Sequence, residues 1–232
     1  FLVGFGRDGK KKRIKSNLIT FLIFLLTRNY SKLYGELNSL KRRVVITGQG
    51  AVSALGMNAE ENCNSLQEGV CGISELSLRD LERLSVRVGA EIKNYRQEDY
   101  FNRQELSYYD KFTQFALLAA EEALESSGID ISEEVSERFG VILGNAGGGL
   151  RTQDENFRNV YELKKNRVHP FIVPKLMNSA ASSQLSIKFN AKGASYTVSS
   201  ACASSNHAMG QAFHLIRSGS LSMALTGGSE SM

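Results

Sequence analysis

The sequence predicts an α/β fold built around a largely parallel sheet. Two observations carry this prediction. Short β-prone runs alternate with amphipathic stretches along residues 42–232, the pattern of strand–helix–strand units that assemble into parallel sheets. The composition, 42% hydrophobic and 22% charged over 232 residues, supplies ample core for a globular protein of one or two domains.

In chain order, Val44 to Thr47 is a β-branched run before the Gly48-Gln49-Gly50 turn and reads as an opening strand. Ala59 to Gln67, after Asn58, reads as a helix. Tyr108 to Ser127 reads as one long amphipathic helix, with Phe112, Phe115, Ala116, Ala119 and Ala123 at three- and four-residue steps and Gly128 as its stop. Phe139 to Leu143 is a short apolar strand, and Asp154 to Lys164 a helix with charges on its outer face. A proline-marked loop then leads to a helix from Lys175 to Phe189, a strand at Tyr196 to Val198, a helix from Ala203 to Ser218 and a last strand at Met223 to Thr226. In the penultimate element Ala203, Ser204, Ser205, Ala208 and Gly210 let neighbouring layers approach closely, so this helix is expected to be buried between them.

Charge divides the chain. Residues 1–43 hold eleven Lys/Arg against two Asp/Glu, so of the overall +4 they account for +9 and the remainder carries −5. The globular part is acidic, which takes away most of the support for a nucleic-acid partner and leaves that reading only the basic run at residues 10–15. Within the extension at residues 1–41, Lys10 to Lys15 precedes an apolar stretch from Leu18 to Leu26, as in the first two regions of a signal peptide. No clear small-residue cleavage site follows, and the stretch is far shorter than the ~20 residues that span a bilayer, so no transmembrane segment is read here. A targeting or membrane-contact extension, a linker after an upstream domain, and translated sequence before a start near Leu40 are the alternatives. The last is favoured, with a cytoplasmic location.

Cys63, Cys71 and Cys202 have neither CxxC spacing nor nearby histidine clusters, so no zinc site and no disulfide framework is indicated. Cys63 and Cys71 are assigned packing roles. Cys202 differs, because Ser199-Ser200-Ala201-Cys202-Ala203-Ser204-Ser205 places it between a strand and a helix with only small residues around it. At a helix N-terminus, unpaired amides and the macrodipole favour thiolate over thiol and can hold an oxyanion. On these residues alone, a nucleophile and an inert helix-start cysteine both remain open.

Other motifs weigh less. Thr47-Gly48-Gln49-Gly50-Ala51-Val52 invites a dinucleotide reading, but Val52 stands where the TGxxxGxG pattern needs its second glycine, and no acidic residue ends a following strand at the proper distance. Gly147-Gly148-Gly149 lacks the Gly-Lys-Ser/Thr ending of a phosphate-binding loop. His207 lies more than a helical turn beyond Cys202 and is expected to be a satisfied core histidine; His169 and His214 make no convincing dyad with the thiol.

Tyr196-Thr197-Val198-Ser199-Ser200-Ala201-Cys202-Ala203-Ser204-Ser205 closely resembles the nucleophile segment of the β-ketoacyl-acyl-carrier-protein synthases, the 3-oxoacyl synthase I/II type of the thiolase-like superfamily. Arg42 to Gly50 resembles that family's opening strand and turn, and Gly144-Asn145-Ala146-Gly147-Gly148-Gly149-Leu150 its glycine loop. Pro170 to Pro174 and Leu225-Thr226-Gly227-Gly228-Ser229-Glu230 fit in order and spacing, so the similarity covers residues 42–232.

The resemblance implies a thiolase-like layered α/β/α fold with a mostly parallel mixed sheet, of which residues 42–232 are the N-terminal half. It implies that Cys202 takes an acyl group as a thioester, which malonyl carrier protein then extends by decarboxylative Claisen condensation in fatty-acid synthesis. The two histidines, the lysine and a second oxyanion amide that the family uses for condensation come from the C-terminal half. Gly147 is implied to line the acyl pocket where some relatives carry a bulky gate, and Ile172 to reach a neighbour's pocket in a homodimer paired along Ala194 to Ser199. No cofactor or metal is expected, since the substrates ride on the phosphopantetheine of acyl carrier protein. That partner is expected to dock near Arg103 and Lys111, although Ser107, Tyr108 and Tyr109 replace side chains that are basic or apolar in relatives. A polyketide ketosynthase, a thiolase and a non-enzymatic partner subunit of chain-length-factor type are the alternatives; the presence of Cys202 speaks against the last.

Overall fold

The computed structural model describes residues 43–77 and 81–231. The expectations for residues 1–41 lie outside them.

Asn58, in an extended conformation, opens helix α1 (Ala59–Gln67) by accepting a hydrogen bond from the Glu61 amide at 2.8 Å. A small antiparallel ladder follows, β1 (Ser74–Glu75) on β2 (Val88–Gly89). The expected long helix is two helices, α2 (Arg103–Tyr108) and α3 (Lys111–Ser127). Asn102 and Glu105 form a capping box on α2, while the chain turns extended at Tyr109 and Asp110 before α3 begins. Apolar spacing ran through that break because Tyr109 is buried on the same side as α3. Gly128, left-handed at φ 63°, ends α3 as expected.

After α4 (Glu133–Ser136) comes β3 (Phe139–Gly144), buried at every residue. Helix α5 (Leu150–Phe157) runs into a π-helical turn, Arg158–Glu162, so helical structure begins earlier than expected and ends sooner. The single helix expected over residues 175–189 is likewise two, α6 (Ile172–Leu176) and α7 (Ala180–Lys188), separated where Met177 turns extended. Then follow β4 (Ser195–Val198), α8 (Ser204–Arg217) and β5 (Met223–Gly228).

The sheet is parallel, with β3 at its centre and order β4-β3-β5. Strand alternation sorts its two faces. Phe139, Val141 and Leu143 pack with Phe112, Leu117, Ala180 and Leu185 of α3 and α7, whereas Ile142 packs with Ala208 and Ala212 of α8. The result is α/β/α layering, the predicted class. Phe112, Leu117 and Phe139 are wholly buried, and each such side chain contributes about 1.5–3 kcal/mol of apolar burial.

Four expectations are corrected. Val44 to Thr47 forms no strand: Ile46 is 90% exposed, and a cavity of 210 Å³ separates this segment from Met223 to Leu225 of β5. The chain just after it is instead held by α3, where Ser126 accepts from the Gln49 amide and the Glu122 carboxylate accepts from the amides of Ala51 and Ala59. Secondly, α8 is buried on one face only. Ser204, Ala208 and Ala212 are covered by the sheet, while Met209 and Phe213 are exposed and a side-chain carbon added at Gly210 would meet nothing within 4 Å. Thirdly, Cys63 and Cys71 are exposed rather than packed: both fall where α1 and its following turn face outward, and α1 buries no residue fully. Lastly, His207 is exposed, being on the uncovered side of α8, although it is hydrogen-bonded. No helix among the described residues is long and apolar enough to cross a membrane.

Candidate active site

Parallel strands bring their C-terminal ends to one edge, where α/β sheets place their chemistry. Here β4 leads to Cys202 and β3 leads to the loop 145–149. Cys202 is exposed and sits in the turn just before α8. Ala201, its predecessor, is left-handed at φ 50°, a conformation that costs a residue with a side chain about 1–2 kcal/mol. Three hydrogen bonds hold it there. The buried Ser204 hydroxyl accepts from the Ser200 amide at 2.8 Å and donates to the Ala201 carbonyl at 2.6 Å, and the Ser204 amide donates to the same carbonyl at 3.1 Å. The Ser200 hydroxyl in turn meets His207 Nδ1 at 3.0 Å.

The turn is pressed onto the sheet by two glycines. A Cβ at Gly144, the last residue of β3, would collide with the backbone of Ser204 and Ser205, and one at Gly228 would meet Ser205 Cβ at 2.6 Å. The amides of Cys202, Ser205 and Asn206 make no protein hydrogen bond among the described residues, as the first donors of a helix do when no cap meets them.

The loop after β3 is held at every amide. Asn145 N–H donates to the Val198 carbonyl at 3.1 Å, and those of Ala146 and Gly147 donate to Glu230 Oε2 at 2.9 and 3.1 Å. Gly148 N–H donates to Asn145 Oδ1 at 2.6 Å and Gly149 N–H to the Leu176 carbonyl at 2.9 Å. A Cβ on Gly147 would lie 2.8 Å from Leu150 Cδ1 and 3.3 Å from Glu230 Oε1, so those side chains fill the space that a larger residue would take.

Ile172 lies elsewhere. It lines a 360 Å³ cavity together with Arg103, Arg167, His169 and Lys175, with Glu155 as the acidic contributor. Neither Cys202 nor Gly147 lines this cavity. Lys111 does not line it either: its ammonium sits 6.0 Å over the Tyr95 ring, and burial lowers its pKa. Among the described residues no group of three or more His, Cys, Asp or Glu could hold a metal ion.

Sequence reasoning named Cys202, Gly147 and Ile172 but missed Ser204 and Glu230 as anchors and Arg167 and Lys175 as basic neighbours of Arg103. Glu230 was visible as part of a motif. Its partners, 83 and 84 residues away, were not.

A parallel sheet that delivers a cysteine to a helix start between glycine-thinned strands defines an α/β protein with an exposed thiol at its sheet edge. Comparison with known proteins gives the family. The chain belongs to the β-ketoacyl synthases: the family model "Beta-ketoacyl synthase, N-terminal domain" matches residues 41–232. A 3-oxoacyl-[acyl-carrier-protein] synthase 2 of Staphylococcus aureus (strain COL) is 36% identical over 192 residues, 83% of this chain and 46% of that protein. Among solved structures, the ishigamide ketosynthase/chain length factor matches with TM-score 0.75 at 24% identity, over 83% of this chain and 48% of the other. A type II polyketide ketosynthase in complex with its acyl-carrier protein (AntDE:AntF) matches with TM-score 0.69 at 22% identity, over 83% and 52%. The chain spans about half the length of the curated relatives it matches.

Proposed function

We propose that this chain forms the N-terminal half of a condensing enzyme of fatty-acid elongation and carries its acyl-accepting thiol, Cys202. The observation that carries the reading is the exposed sulfur in a turn held by Ser204, next to helix-start amides with no protein acceptor among the described residues. In the first half-reaction the Cys202 thiolate attacks the carbonyl carbon of an acyl thioester. A new C–S bond forms, the bond to the phosphopantetheine sulfur breaks, and the departing thiolate takes up a proton. Extension of that acyl group by malonyl carrier protein belongs to the complete enzyme, with no cofactor beyond the carrier's own phosphopantetheine.

Acyl carrier protein is the proposed donor, and Arg103, Arg167, His169 and Lys175 around one cavity suit an acidic partner. The carrier complex of the polyketide ketosynthase AntDE supports this assignment. A homodimer paired along β4, with Ile172 directed to the partner's acyl pocket, and a cytoplasmic location complete the proposal. A non-catalytic partner subunit is the second reading, favoured by the ketosynthase/chain length factor neighbour; the thiol at Cys202 favours the enzyme.

The test is intact-protein mass spectrometry after incubation with acyl carrier protein thioesters and, separately, acyl-CoA. Because Cys63 and Cys71 are also exposed, the adduct is located by peptide mapping and by Cys202→Ala. Acylation at Cys202 from the carrier, lost in the variant, is expected. Equal labelling of all three thiols, or none at Cys202, refutes the reading, and preference for acyl-CoA points to a thiolase instead.

A further inference from the structure

We propose that Glu230 is a specificity-determining positioning residue, whose carboxylate sets the place of the Gly147 segment and thereby which acyl chains reach Cys202. It rests on the proposed role of Cys202 as acyl acceptor and on the pocket-lining place that the family resemblance implies for Gly147. Consecutive amides that point at one spot form a nest for an anion, and in this loop the anion is a side chain of the protein itself. Glu230 Oε2 accepts from both Ala146 and Gly147, while Oε1 lies 3.4 Å from Asn145 Nδ2. Asn145 also donates from Nδ2 to the Ser229 carbonyl at 2.7 Å, and its Oδ1 accepts from Gly148. The end of β5 therefore grips the loop on one side. On the other side Asn178 Nδ2 donates to the Ala146 carbonyl at 3.2 Å, and the Leu176 carbonyl holds Gly149.

These two grips differ. Gly148 and Gly149 are tied by a buried asparagine and a main-chain carbonyl, whereas the amides of Ala146 and Gly147 depend on one exposed carboxylate. Gly147 brings no side chain of its own to fix its position. Removing the carboxylate leaves two adjacent amides without their acceptor, so the peptide at Gly147 is free to turn while its neighbours stay held. Since Oε1 also borders the space beside Gly147, the same substitution both loosens the loop and empties part of that space.

The experiment uses the full chain as wild type, Glu230→Ala and Glu230→Gln. Hydrogen exchange at residues 145–149 is read beside acylation of Cys202 by hexanoyl, decanoyl and tetradecanoyl thioesters supplied in competition. For Glu230→Ala, exchange at Ala146 and Gly147 should quicken about tenfold or more with Gly148 and Gly149 little changed. The tetradecanoyl-to-hexanoyl ratio at Cys202 should shift by about fivefold or more. Glu230→Gln keeps an acceptor oxygen and should recover much of both, which also provides a folded variant if the alanine protein is unstable. Unchanged exchange at Ala146 and Gly147 overturns the inference, whether or not Cys202 takes an acyl group. Faster exchange with an unchanged chain-length ratio overturns it as well. A wild-type chain that takes no acyl group at Cys202 refutes the proposed function, and exchange then still decides the grip.

Discussion

Gly144→Ala and Gly210→Ala are the same chemical change at two glycines, and the structure gives them opposite signs. At Gly144 the new methyl collides with the main chain of Ser204 and Ser205, atoms that cannot rotate away. Either β3 or the start of α8 must give way by roughly 1 Å, and overpacking of this kind costs about 1–3 kcal/mol. A loss of ~3 kcal/mol lowers Tm by about 6–12 °C in a domain of this size. At Gly210 the new methyl meets nothing within 4 Å among the described residues, and the helix gains the propensity difference between alanine and glycine, about 1 kcal/mol, or roughly 2–4 °C. Differential scanning calorimetry of the two variants beside wild type, at one pH and protein concentration, measures both. A Gly144→Ala protein that melts with wild type would show that β3 and α8 are not in the contact described. If Gly210→Ala melts lower, that face of α8 is covered in solution.

Two further outcomes are expected. Ala201→Gly relieves the cost of a left-handed alanine while adding freedom to the unfolded chain, for a net stabilisation of about 0.5 kcal/mol or more in urea titration; destabilisation would mean the φ of 50° is not held in solution. Burial raises the pKa of Tyr95, with Tyr100 and Glu98 adding to the effect, so the unfolded chain ionises first. The corresponding stability is intact below about pH 10, the ordinary tyrosine value, and is lost as pH rises beyond it. Tyr95→Phe should therefore flatten the alkaline limb of the stability profile. At neutral pH it costs about 1 kcal/mol, since Gln114 loses the phenol that donates to it at 2.6 Å. An alkaline limb unchanged by the substitution refutes the assignment.

The α/β class and the register of the cysteine were legible because both are written locally. Asn58, Gly128 and the run Phe139 to Leu143 carry their own signals, and α1, the end of α3 and β3 lie where those signals put them. Val44 to Thr47 misled because strand propensity is satisfied only by a partner strand, and Glu122 and Ser126 hold the following chain on α3 instead. The breaks at Asp110 and Met177 were hidden by apolar spacing that continues across them. The grip of Glu230 and the pairing of Ser204 with Ala201 depend on which backbone groups are left over once the elements form. Those groups cannot be counted before the fold is known.

The uncovered face of α8 turns Cys202 into a built-in gauge of occupancy. Cys63 lies on α1 and Cys71 just beyond it, and all three thiols are exposed. A body that extends from Met209 and Phe213 to the N-terminal end of α8, about two turns beyond Met209, covers the sulfur and can leave the other two thiols open. Titrating the chain with a coloured thiol reagent then counts three sulfhydryls when that face is bare and two when it is dressed. The count reports assembly directly, with no label added.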